Sequence, residues 1–266
     1  MSVQYKRILL KLSGEALSGD KGTGFDEPTM EAICQGVKQA HDLGVQIGIV
    51  VGGGNFWRGR SSGRMERTCA DKIGMLATVM NCLAVSDMLR QLGLETSVQT
   101  ALFMPQVAQP FVRDEAVAEL EQGKVVLFGA GTGNPFFSTD TASALRAIEI
   151  GADVMFKATM VDGVYDKDPK KYPDAVKYDT LTFTRVLEEK LAVMDSTAAT
   201  LCRDNGLPIL VFDLADSGNP RRAGRAGGHP GEGKLSRFPV AELKNEMRPC
   251  GLNEKEYGYE RVHQAL

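Results

Sequence analysis

The sequence predicts an α/β protein built on a largely parallel sheet, and three observations predict it. Short apolar runs of strand length alternate with longer amphipathic segments of helical period. Glycine follows the amphipathic segments where a helix must stop, at Gly44, Gly93 and Gly206. The strongest glycine clusters directly follow apolar runs, where a parallel sheet places its strand-to-helix turns.

The elements follow in order. Ile8-Leu9-Leu10 reads as the first buried strand. Residues 28–43 carry Met30, Ile33, Val37 and Ala40 at helical spacing and lead through Gly44 to a strand over 45–51. Residues 68–92 repeat the arrangement with Ile73, Leu76, Met80 and Leu83 on one face, before Gly93 and a strand around 96–101. A helix over 114–121 precedes a strand over 125–128, and a helix over 141–150 precedes a strand over 153–157. Pro169 and Pro173 interrupt the alternation. A helix over 197–204 and a strand over 208–212 complete it. From 217 to 233 the composition shifts to Gly, Pro and Arg, where regular structure is not expected.

Composition narrows the function. A chain of 266 residues, 43% hydrophobic and 24% charged, suits one large domain or two small lobes. The formal net charge is -3 with both signs interspersed, which does not favour nucleic acid as the main partner. The cysteines Cys34, Cys69, Cys82, Cys202 and Cys250 are odd in number and form no C-x-x-C pair, which argues against a disulfide framework or a zinc knuckle and for a reducing compartment. Lys11 interrupts the first apolar run too early for a signal-peptide core, and no stretch is expected to span a membrane. Cytoplasmic residence is the expectation.

Three glycine clusters follow strands: Ser13-Gly14, Gly52-Gly53-Gly54-Asn55, and Gly129-Ala130-Gly131-Thr132-Gly133-Asn134. Glycine lets backbone N–H groups approach an anion closely, although tight turns also use it for steric reasons alone. Three such loops beyond the carboxyl ends of one sheet point to phosphate binding. Gly14 and Gly19 have Walker-like spacing, but Asp20 stands where that motif requires lysine, and no G-x-G-x-x-G opens a helix. Two cations accompany the loops, Lys11 at the end of the first strand and Arg58 past the triple glycine. Lys11 either emerges at the surface or serves an anionic partner, and phosphoryl transfer gives both charges a task. His41, His229 and His263 lie outside every glycine loop, which leaves no candidate for a nucleophilic triad or a His-rich zinc site.

Lys11-Leu12-Ser13-Gly14-Glu15-Ala16-Leu17, Gly52-Gly53-Gly54-Asn55 with Arg58-Gly59, and Gly131-Thr132-Gly133-Asn134-Pro135-Phe136-Phe137-Ser138-Thr139-Asp140 together resemble the bacterial uridylate kinases of the amino-acid-kinase fold. The run from Asp71-Lys72-Ile73-Gly74 to Asn81, Lys157-Ala158-Thr159, and Val161-Asp162-Gly163-Val164-Tyr165 extend the resemblance, which covers about Tyr5 to Arg222. It implies a three-layer αβα sandwich and Mg²⁺-dependent transfer of the ATP γ-phosphoryl group to UMP. It implies ATP contacts from Lys11, Leu12, Ser13, Gly14, Gly54, Arg58, Thr159, Tyr165 and Asp168. For UMP it implies Gly53, Asp71, Thr132, Gly133, Asn134, Pro135, Phe136, Phe137, Ser138 and Thr139. As bare sequence, Asp71 reads as an ordinary first-turn acid and Tyr165 as a core or surface aromatic, so the Tyr165 assignment rests wholly on the resemblance. Asp195 matches an acidic residue that orients the catalytic lysine in related kinases, and Asp140 is a candidate partner or helix cap. Lys11, Arg58 and Asp195 are thus the catalytic candidates. Gly22, Thr23, Gly24 and Phe25 resemble a GTP-responsive loop, which implies activation by GTP, inhibition by UTP and a homohexamer.

The resemblance places one domain over 1–222, its UMP-binding part mainly N-terminal and its ATP-binding part mainly C-terminal, and leaves 223–266 as an atypical tail. The family continues past Asp213-Leu214 through paired arginines to a Gly-Thr that opens a final strand. Here Arg221-Arg222 remain, but Gly224-Arg225-Ala226-Gly227-Gly228-His229-Pro230-Gly231 departs from that pattern. The tail is expected to be mobile and to supply no catalytic group. Two competing functions are a carboxylate or carbamate kinase of the same fold, disfavoured by Asn134-Pro135-Phe136-Phe137, and a UMP-sensing regulator without turnover, disfavoured by Lys11 and Arg58.

Overall fold

The computed structural model describes residues 4–213, apart from 59–62, 160–162, 179 and 192. Gly59, Val161, Asp162, Arg221, Arg222 and the tail over 223–266 therefore lie outside the described residues. The strands β1 (Arg7–Leu12), β2 (Gln46–Val51), β3 (Thr96–Thr100), β4 (Gln109–Pro110), β5 (Val125–Gly129), β6 (Val154–Thr159) and β9 (Ile209–Asp213) form one sheet in the order β4-β3-β5-β2-β1-β6-β9. Every neighbouring pair in it is parallel. A separate antiparallel pair, β7 (Val164–Tyr165) with β8 (Lys177–Tyr178), follows β6.

Side-chain alternation divides the core. Ile8, Leu10 and Leu12 of β1 point with Ile47, Ile49 and Val51 of β2 toward α1 (Gly14–Ser18), α2 (Glu27–Asp42) and α3 (Arg67–Gln91). Leu9, Val50, Val126 and Met155 point the other way, toward α4 (Arg113–Glu121), α5 (Thr139–Glu149), α6 (Phe183–Glu188) and α7 (Ser196–Asp204). Helices on both faces complete the αβα sandwich. Strands buried on both faces read as unbroken apolar runs, which is why 8–10, 45–51 and 125–128 were legible. The helices stop as expected, with Gly44, Gly93 and Gly206 all at positive φ. Five elements too short to carry a period were among those not foreseen: α1, α6, β4, β7 and β8.

Helix α3 turns its periodic apolar face outward. Leu76, Met80 and Leu83 are exposed, while Met75, Thr78, Asn81, Cys82, Val85, Ser86 and Leu89 face the protein. The buried face is partly polar because it packs against loops whose backbone groups need partners. Thr78 Oγ1 accepts from Ala130 N–H at 2.8 Å, and Asn81 Nδ2 donates to the Gly52 carbonyl at 2.6 Å. By length and composition alone the helix could cross a membrane, since its 25 residues include a window of mean hydropathy 1.3. Half of that window is buried against the sheet and loops, which is the packing of a core helix.

Candidate active site

The chain leaves β1 to build β2, β3, β4 and β5 on one side, then returns to build β6 and β9 on the other. The crossovers on either side of the β1–β6 boundary thus diverge, which opens a crevice at the carboxyl ends of these strands. Lys11 and Lys157 stand there as direct partners in the parallel register of β1 and β6. Their place in the alternation turns both toward α5, on the side of Leu9 and Met155.

Asp140, in the first turn of α5, receives both lysines. Its Oδ1 lies 3.1 Å from Lys11 Nζ, and its Oδ2 lies 2.6 Å from Lys157 Nζ, which also donates to the Val193 carbonyl at 2.5 Å. Burial alone pushes the Asp140 carboxyl up, but the Lys11 and Lys157 charges outweigh it and hold the carboxyl below its ordinary 3.8. Burial lowers the Lys157 ammonium from its ordinary 10.5, with Asp140 opposing that shift. One carboxylate thus neutralises part of a two-lysine charge, and the remainder suits an anion.

Asp195 does not contact Lys11; the contact expected of it is made by Asp140. Asp195 caps α7 by accepting from Ala198 N–H at 2.9 Å, and it accepts from the Ser138 hydroxyl and from Thr141 Oγ1 at 3.0 Å. Ser138 in turn caps α5. Asp195 therefore steadies the helix end that carries Asp140. Lys157, which shares Asp140 with Lys11, is the residue of this cluster that sequence reasoning did not single out. The signal was present, since a lysine inside the buried run of β6 carries the same desolvation cost that singled out Lys11.

A cavity of about 420 Å³ opens beside Lys11. Its wall gathers Lys11, Ser13, Gly14, Gly53, Gly54, Arg58, Asp71, Thr132, Asn134, Phe137, Ser138 and Thr139 from the expected set, joined by Glu15, Trp57 and Arg67. The first two glycine loops pack backbone to backbone. A Cβ on Gly14 would meet the Gly52 carbonyl oxygen at 2.5 Å and Gly54 N at 2.6 Å, a clash that only glycine avoids. The third loop turns through left-handed conformations at Ala130, Gly131, Gly133 and Phe136. Asp71 tethers it, accepting from Phe136 N–H at 2.7 Å and from Arg67 Nε at 2.7 Å, while the Arg67 guanidinium lies over the Phe136 ring.

Other expected residues fall elsewhere. Leu12 is fully buried in the core, so only its backbone can take part. Gly133, Pro135 and Phe136 belong to the third loop but not to the cavity wall. Thr159 ends β6, Tyr165 lies in β7 and the exposed Asp168 follows it, all outside the wall. The loop of Gly22, Thr23, Gly24 and Phe25 meets the second glycine loop from outside. Thr23 Oγ1 and Gly24 N–H both donate to the Asn55 carbonyl, and Phe25 packs edge-on against Phe56. Asn55 in turn exchanges hydrogen bonds with the buried Asn81 of α3.

The sequence profile of the amino acid kinase family matches residues 6–213. The fold is similar to the crystal structure of UMP kinase from Bacillus anthracis, with a TM-score of 0.78 and 39% identity over 82% of this chain and 91% of that one. It is similar to UMP kinase from Ureaplasma parvum, with a TM-score of 0.75 and 35% identity over 79% of this chain and 90% of that one. The uridylate kinase of Archaeoglobus fulgidus matches with a TM-score of 0.61 and 27% identity over 81% and 92% of the two chains.

Proposed function

The chain belongs to the amino acid kinase family, and from that premise we propose that it is a UMP kinase, transferring the γ-phosphoryl group of ATP to the phosphate of UMP. The observation that carries this reading is the Lys11–Asp140–Lys157 cluster beside three glycine loops, in a chain similar over most of its length to two bacterial UMP kinases. A carboxylate or carbamate kinase and a UMP sensor without turnover are both less well supported than this.

The acceptor phosphate ionises a second time near pH 6, so at neutral pH it is already a dianionic nucleophile and needs no general base. The difficulty is bringing two polyanions together. Lys11 and Lys157 supply charge where the transferring group gains it, with Asp140 fixing the direction of both ammonium groups. Backbone N–H groups of the glycine loops and the Arg58 guanidinium line the path of the phosphates. Direct in-line transfer follows, without a phosphoenzyme. Thr159, Tyr165 and Asp168 are the proposed adenine and ribose side, and Asp71 with residues 132–139 the UMP side.

Mg²⁺ is the proposed cofactor. Among the described residues no group of three or more His, Cys, Asp or Glu side chains is placed to hold a metal. In phosphoryl transfer Mg²⁺ is usually carried by nucleotide phosphates and water with one or two carboxylates, and needs no such protein cluster. When bound it neutralises phosphate charge.

Regulation and assembly belong to the same proposal. The contacts of Thr23 and Gly24 with Asn55 give a GTP-responsive loop a route to the phosphate loop, and UTP inhibition is proposed with it. The exposed stripe of Leu76, Met80 and Leu83 supports a homohexamer, since such a face is usually covered by another chain. The proposed location is the cytoplasm. A coupled ADP-release assay with UMP, CMP, dUMP and acetylglutamate tests the reading. Turnover with UMP well above the others is expected; turnover only with a carboxylate, or binding of UMP without turnover, would replace it.

A further inference from the structure

Glu15 is the second residue of α1, and its side chain turns back over the second glycine loop. A Cβ at position 54 would lie 1.9 Å from Glu15 Oε1 and 2.4 Å from its Cδ, so the carboxylate rests directly on the glycine and any larger residue there would displace it. From this seat it forms an ion pair with the Arg58 guanidinium. Glu15, Gly54 and Arg58 all belong to the cavity wall that also holds Lys11.

Stability does not account for the pair. The Arg58 side chain is 66% exposed and that of Glu15 35%, and ion pairs so open to water contribute little. Electrostatics makes Glu15 unexpected as well, because a carboxylate beside a phosphate path repels the phosphates unless a cation offsets it. Direction is what the pair supplies. An exposed arginine samples many rotamers, and holding it in one before the substrate arrives removes that entropy cost from the reaction. A guanidinium carries five donors in a rigid fork, so one edge can stay on a carboxylate while another faces a phosphate.

We propose that Glu15 is a positioning residue for Arg58: reaching across Gly54, it aims the guanidinium at the cavity so that the charge is in place when the phosphoryl group passes. The inference rests on the kinase reading above and adds a residue whose role is exerted wholly through another.

The test is a double-mutant cycle with chemical rescue. Glu15→Gln is expected to lower kcat about ten-fold while the KM values for ATP and UMP move no more than about three-fold. In an Arg58→Ala background the same change should add less than about two-fold. Millimolar guanidinium should restore part of the turnover of Arg58→Ala, and none when Glu15→Gln is also present. Equal losses in both backgrounds, or no rescue of Arg58→Ala with Glu15 intact, overturn the proposal. Where Glu15→Gln fails to fold, Glu15→Asp, which keeps the charge but shortens the reach, takes its place in the cycle and in the rescue. A wild-type chain that does not phosphorylate UMP defeats the kinase reading separately. The pair is then read in ATP titrations followed by the fluorescence of Trp57, the single tryptophan of the chain and a neighbour of Arg58. An effect of Glu15→Gln on affinity that requires Arg58 upholds the pairing, and one that does not overturns it.

Discussion

At the scale of single residues, the site is an arrangement of charges that would be unfavourable apart. Lys11 and Lys157 stand side by side at neighbouring strand positions, and both are buried. Like charges so placed repel, and Asp140 between them offsets the repulsion. Lys11→Ala is expected to lower kcat by about 100-fold or more, as loss of a transition-state donor does, while circular dichroism shows an intact fold. Asp140→Asn leaves two buried ammonium groups without their counter-charge and should cost about 3 kcal/mol of stability at neutral pH. The sign of its pH dependence follows from the depressed Asp140 carboxyl. The unfolded chain binds that proton more readily, so the stabilisation is fully present above the ordinary 3.8 and is lost as pH falls through the lower folded value. Urea midpoints of wild type and Asp140→Asn should therefore differ by a constant amount above pH ~5 and converge in acid. Asp71 holds the third loop through Phe136 N–H and pairs with Arg67. Asp71→Asn should thus raise the KM for UMP more than that for ATP; parallel rises in separate titrations would make Asp71 a structural residue only.

At the scale of elements, α3 shows what an amphipathic reading leaves undecided. The periodic apolar set Ile73, Leu76, Met80 and Leu83 was legible in the sequence, yet Leu76 and Met80 are 49% and 46% exposed. The face that packs inward must satisfy the turning backbone of two glycine loops, so it carries Thr78 and Asn81 among its apolar residues. A period shows which residues share a face, but not whether that face meets the sheet or another chain. Leu76→Glu or Met80→Glu should therefore leave the fold intact and shift the assembly to smaller species in light scattering coupled to size exclusion. Unchanged mass in both variants would place the assembly surface elsewhere. Lys157 was legible by the reasoning that found Lys11, whereas its alignment with Lys11 depends on strand register. Which of Asp195 and Asp140 meets Lys11 is decided at helix ends, where a cap and a charge partner look alike in sequence.

At the scale of the whole molecule, every proposed catalytic group lies within the residues matched to the amino acid kinase family. A chain ending at Arg222 is accordingly expected to keep UMP turnover within a few-fold, with any loss falling on stability. Steady-state assay beside thermal unfolding checks this; a truncated protein that folds and binds both nucleotides yet cannot turn over would mean that the tail supplies part of the site. The class of fold, the parallel sheet and the three glycine loops were legible in the amino-acid order alone. These follow from local steric and hydrophobic rules: buried strands read as apolar runs, and close backbone approaches demand glycine. Folding in three dimensions was needed to show that Lys11 and Lys157, 146 positions apart, become neighbours over one carboxylate, that Glu15 reaches Arg58 across Gly54, and that an apolar stripe of α3 faces outward. Those outcomes depend on strand order and register, which place residues distant in the chain within hydrogen-bond reach and which no local pattern encodes.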